Sequence, residues 1–134
     1  MNEKLSLSGL NRIGVEEFKQ KEKNPIVIVL DNIRSMNNVG SVFRTSDAFL
    51  IEKIFLCGIT PKPPHREIHK TALGATETVD WEYKPSTFDT IDELKGKGYL
   101  IYSIEQAVGS IMLNYFVLHT LTKQFYKFSL FLLM

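Results

Sequence analysis

The chain has little of what would settle its class at a glance. A lone cysteine, Cys57, excludes an internal disulfide. Charge of one sign is missing too: 16 basic against 15 acidic residues leave a net charge of +1, so no global field draws the chain onto nucleic acid. Any such binding requires a local basic patch. No apolar run reaches the ~18 residues that a membrane-spanning helix needs, and the N-terminus is charged and polar where a signal peptide would be apolar. A cytoplasmic protein without a membrane anchor is expected.

A second scarcity is local. Acidic residues stop at Glu105, and Tyr115 to Met134 holds four phenylalanines, five leucines, two lysines and no glycine or proline. The composition breaks near Leu113, which sets off residues 114–134 as an apolar tail. His119, Thr120, Thr122, Lys123, Gln124, Lys127 and Ser129 interrupt that tail. A tail that docked as a helix would be buried along Phe116, Leu121, Phe125 and Phe128, at an approximately helical spacing.

What is present reads as one α/β domain. With 44% apolar content, 134 residues can bury one core but hardly two. Ile26 to Leu30 is apolar at every position, as suits a strand covered on both faces of a parallel sheet, and Asp31 ends it. From Val39, apolar residues recur at Val42, Phe43, Ala48 and Phe49 with helical spacing. Ile54 to Cys57 reads as a second strand. Gly58 to Arg66 carries three prolines and reads as a loop, and Ile68 to Ala75 holds a short helix ending at Gly74. A third strand fits Val79 to Tyr83. Pro85-Ser86-Thr87 starts a helix whose buried stripe is Phe88, Ile91 and Leu94, and Gly96 and Gly98 stop it. Tyr99 to Ile104 is the fourth strand. Residues 1–24, with a small amphipathic piece at Val15 to Phe18, form a solvated lead-in. The fold class is therefore α/β, a mostly parallel sheet of βαβ units over 25–113.

Two clusters carry candidate chemistry. Asn37 to Thr45 follows the first strand and places an amide, a glycine and an arginine at a strand-to-helix junction, where backbone N–H groups receive phosphates. Arg44 would sit one helical turn in. Asn38 and Gly40 taken singly only cap and loosen the turn. Taken with Arg44 and Arg34, they could clamp a phosphate through guanidinium and backbone donors. An arginine serves as a base only when a fixed position and a neighbouring anion, such as substrate phosphate, assist it.

The second cluster is Pro63 to Thr71. His65 and His69, four apart and near Cys57 and Glu67, would share a helix face only if the helix ran through His65, and the prolines oppose that. No metal site is expected. A basic loop in which His65, Arg66 and Lys70 touch RNA phosphates is one reading, and a plain solvated loop is the other. No serine or cysteine has a base and orienting acid in sequence reach.

Asn38-Val39-Gly40-Ser41-Val42-Phe43-Arg44-Thr45 with Asp47-Ala48 resembles the first motif of the SpoU (TrmH-like) RNA ribose methyltransferases of the SPOUT superfamily. The likeness continues through Leu56 to Thr60, Pro63 to Ala75 and Tyr102 to Ala107. The resemblance implies an α/β sheet with a C-terminal trefoil knot, a rare exception to unthreaded chains. It also implies S-adenosylmethionine as methyl donor, a ribose 2′-hydroxyl of tRNA or rRNA as acceptor, and a homodimer. By resemblance Arg44 is the catalytic arginine and Asn38 arranges the site. Gly40 permits the close turn, and Ile104, Glu105 and Gln106 meet the cofactor. The family's second and third motifs should follow Leu113 and are absent, so the knot is expected to be missing. The tail looks like out-of-frame or truncated coding. The expected protein is a truncated, inactive SpoU-type methyltransferase, with a non-catalytic RNA-binding or dimerisation module as the alternative.

Overall fold

A computed structural model describes residues 13–105 and 107–112, and residues 128–133 as backbone. Five parallel strands form its sheet: β1 (Asn24–Asp31), β2 (Ile51–Cys57), β3 (Trp81–Lys84), β4 (Leu100–Ile104) and β5 (Phe128–Leu133), in the order β3-β2-β1-β5-β4. Around them lie α1 (Val15–Gln20), α2 (Met36–Ala48), α3 (Arg66–Ala72), α4 (Ala75–Thr78) and α5 (Thr87–Gly96). The expected α/β class, a parallel sheet of βαβ units, is the observed one.

Alternation along β1 divides the core in two. Ile28 and Leu30 face Val39 and Phe43 of α2, Ile68 and Ala72 of α3, and Ala75 of α4. Val27 and Val29 face Leu94 of α5, together with Phe55, Cys57 and Tyr99. Right-handed crossovers explain the split. The path β1 to β2 to β3 steps one way across the sheet and puts α2, α3 and α4 on one face. The return from β3 to β4 reverses the step and puts α5 on the other. The order reverses beside β1, and all carboxyl ends of the strands open on one edge, where parallel sheets bind ligands.

Several expectations need correction. The second helix begins at Met36, three residues before Val39, because Ser35 caps it: Ser35 Oγ accepts the Asn38 N–H at 3.3 Å. Arg44 therefore sits just over two turns in. The loop helix divides at Leu73 and Gly74, both left-handed, into α3 and α4. Phe88 does not belong to the buried stripe of α5, being 78% exposed, and Thr90 is buried in its place. The lead-in is not wholly solvated: Phe18 of α1 is 3% exposed and belongs to the main core.

The tail holds the largest difference. Phe128, expected on a helical face, begins β5, and residues 128–133 lie between β1 and β4 in the sheet and pair with both. An almost continuous apolar run suits a strand covered on both faces, and over six residues such a run cannot be told from a helix by spacing. Phe116, Leu121 and Phe125, and the connection that bears on the knot, lie outside the described residues.

Candidate nucleic-acid interface

Gly40 organises the site. It is buried in the second turn of α2, and a Cβ there would lie 2.0 Å from Thr71 Oγ1 and 2.4 Å from the Ile68 carbonyl oxygen. Only glycine lets the backbones of α2 and α3 approach so closely. Gly40 thus serves a helix–helix contact and not a turn. Thr71 Oγ1 lies 3.1 Å from the Asn37 carbonyl oxygen and ties the same two helices. Arg44, one turn beyond Gly40 on α2, is exposed, as are Arg66 and Lys70 on α3 and Arg34 in the loop before α2. None of these four cations pairs with a carboxylate among the described residues. The lysines of β2, β3 and the end of α5 do: Lys53 and Lys84 bond Glu82, and Lys84 and Lys97 bond Glu93.

Asn38 is exposed in the first turn of α2. His65 is the N-cap of α3, in extended conformation, with Nδ1 accepting the Glu67 N–H at 3.2 Å. That cap takes one ring nitrogen and leaves His65 off the helical face that carries His69. Of the expected site residues, Arg34 precedes α2, Asn38, Gly40 and Arg44 lie along α2, and His65, Arg66 and Lys70 lie at the cap and along α3, the helix that Gly40 packs against.

A hydrogen-bonded frame that sequence reasoning missed holds the neighbouring loops. Asp31, the last residue of β1, accepts from Asn32 Nδ2 at 2.7 Å and from Thr87 Oγ1 at the start of α5. Asn32 is left-handed at φ 52°, and its Oδ1 accepts the Ile59 N–H at 3.1 Å. Gly58, also left-handed, leaves no room for a Cβ, which would meet Asn32 Oδ1 at 2.2 Å. Tyr83 Oη donates to the Gly58 carbonyl at 3.1 Å. Beneath them, buried Thr60 Oγ1 donates to the Leu30 carbonyl at 3.1 Å and accepts the Ile33 N–H at 3.0 Å. The only sequence signals were Asn32 and Gly58, types that tolerate positive φ.

Ile104 and Glu105 stand exposed at the carboxyl end of β4, two strands from β1 on the same edge; Gln106 lies outside the described residues. A cleft of about 460 Å³ lies elsewhere, against α5, lined by Val27, Glu52, Phe55, Leu94 and Tyr99 among others. Its polar groups satisfy one another. Hydrogen bonds from Lys53 and Lys84 hold the Glu82 carboxyl below its usual range. Burial, helped by the 2.9 Å bond from its hydroxyl to Glu52, pushes Tyr99 up to about 12. Cys57 is buried beside Thr90, and burial pushes its thiol up, away from the thiolate form.

Fold and site together define a parallel α/β protein whose glycine-locked helix pair carries exposed cations without carboxylate partners among the described residues. A family model described as the SpoU rRNA Methylase family matches residues 25–128. The chain belongs to that family. A putative TrmH family tRNA/rRNA methyltransferase of Staphylococcus epidermidis is 31% identical over 94 residues, 67% of this chain and 38% of its own length. Among solved structures, the A. aeolicus TrmH/SpoU tRNA modifying enzyme superposes with a TM-score of 0.69 at 17% identity, over 87% of this chain and 56% of that one. The AdoMet-bound rRNA methyltransferase of Sinorhizobium meliloti gives 0.65 at 22% identity, over 83% and 40%. The chain spans less than half the length of the curated relatives it matches.

Proposed function

We propose that this chain supplies the RNA-docking face and catalytic arginine of a SpoU-type 2′-O-methyltransferase acting on tRNA or rRNA. The observation that carries the reading is the Gly40 contact, which packs α2, the helix bearing Arg44, closely against α3, the helix bearing Arg66 and Lys70. Four exposed cations, without carboxylate partners among the described residues, would hold RNA phosphates through charge-assisted bonds. A phosphate seated on Arg44 is also the anion its guanidinium needs to help take up a ribose hydroxyl proton. Asn38, in the first turn of the same helix, arranges that site. The unit assigned to this role runs over 25–113, completed by β5 from the tail, and it works in the cytoplasm as a homodimer.

S-adenosylmethionine would supply the methyl group. Ile104 and Glu105, exposed at the carboxyl end of β4, would contribute one wall of its site. The exposed cations of α2 and α3 equally favour a second reading, an RNA-binding module without catalysis.

Both readings are tested by RNA binding across salt concentrations and by transfer of labelled methyl to tRNA and rRNA. Arg44→Ala and Arg66→Ala should each weaken binding and lower the salt slope by about 1. Methyl transfer lost in Arg44→Ala supports the enzyme, and binding without transfer supports the module. Unchanged RNA affinity in both variants would sink the two readings together.

A further inference from the structure

Around the carboxyl ends of β2 and β3 and the start of α5 stand three large side chains that the core does not use. Ile59 is 61% exposed, Tyr83 37% and Phe88 78%. They stand on different elements, yet hydrogen bonds chain them together. Phe88 follows Thr87, whose hydroxyl bonds Asp31; Asn32 next to Asp31 holds the Ile59 N–H; and Gly58 beside Ile59 accepts the Tyr83 hydroxyl. Arg34 lies two residues beyond Asn32. One frame therefore holds the Tyr83 ring, the backbone at Ile59 and the start of α5 before Phe88, together with the loop that carries Arg34.

Chemistry at the rim differs from that of the α2–α3 face. Lys62 Nζ sits 4.2 Å from the Tyr83 ring centroid, and that ring is held by its own hydroxyl. Phe88 is flanked by exposed Asp89, which would repel a phosphate but not a base. Exposed aromatic side chains near a cationic track are what unpaired nucleotides use, bases stacking while phosphates follow the charge.

We propose that Ile59, Tyr83 and Phe88 form a stacking rim for unpaired bases of RNA whose phosphates lie on Arg34 and the α2–α3 cations. This rests on the RNA-docking role proposed above. It adds a selectivity: the protein takes a single-stranded segment or loop in preference to a continuous duplex.

The test uses the full chain, a fluorescent 12-nucleotide single-stranded RNA and a fully paired duplex of the same length. Phe88→Ala, at a position outside the core, should weaken single-strand binding on the order of tenfold. It should leave duplex binding and the salt slope unchanged, and Phe88→Trp should restore the affinity. Single-strand affinity unchanged in Phe88→Ala while Arg66→Ala still weakens it would overturn the rim and leave the docking role standing. Loss of self-association in Phe88→Ala, with RNA affinity intact, would instead make the rim a protein contact and overturn the proposal. Failure of the unaltered protein to bind either RNA would reject the docking role itself, and the rim with it.

Discussion

Replacing Gly40 with alanine sets a helix-propensity gain against a steric cost, and the structure decides which is larger. Alanine in a helix interior is favoured over glycine by about 1 kcal/mol. Its Cβ, however, would sit 2.0 Å from Thr71 Oγ1 and 2.4 Å from the Ile68 carbonyl oxygen. The threonine can rotate away, at the loss of its bond to Asn37, worth about 1 kcal/mol. Ile68 O is backbone and cannot rotate, so α3 must withdraw by roughly an ångström, and forced overpacking of this kind costs about 1–3 kcal/mol. The net expectation is a destabilisation of about 1–3 kcal/mol. Urea unfolding followed by circular dichroism should show the midpoint falling by roughly 1 M with the slope unchanged. Gly40→Ala/Thr71→Ala should recover only part of the loss, since the carbonyl contact remains. A Gly40→Ala protein as stable as the parent, or more so, would refute the claim that this glycine sets the α2–α3 distance.

Thr60→Val removes a buried hydroxyl that serves the Leu30 carbonyl and the Ile33 N–H together. It should destabilise by about 2–3 kcal/mol, as expected for orphaned buried polar groups, and hydrogen exchange at the Ile33 amide should accelerate. Tyr99 gives a pH signature. Its folded value of about 12 exceeds the ordinary 10.0, so stability is full below pH 10 and falls as pH rises toward 12. Absorbance titration of the five tyrosines should include a late component near pH 12 that Tyr99→Phe abolishes. A titration without that component would contradict the burial and Glu52 contact assigned to Tyr99.

Local rules made much of this protein legible from its residues. Ile26 to Leu30 is apolar throughout, Ser86 precedes a helix that stops at glycine, and strands alternate with helices, so the parallel α/β class follows from periodicity and turn chemistry. Asn38, Gly40 and Arg44 were recognisable as a motif because the motif lies within eight consecutive residues. Tertiary structure decided what those rules cannot reach. Whether Gly40 serves a turn or a helix contact depends on α3, some thirty residues on. Whether Phe88 or Thr90 is buried depends on how α5 rolls against the sheet, and whether Phe18 is solvated depends on the open side of the main core. The place of residues 128–133 is the clearest case, because register with β1 and β4 is a long-range pairing that no local window contains. The frame from Thr87 through Asp31 and Asn32 to Tyr83 joins four separate chain segments for the same reason. Residue types fixed what each segment could form, and the burial of apolar faces against distant partners fixed which of those capacities was used.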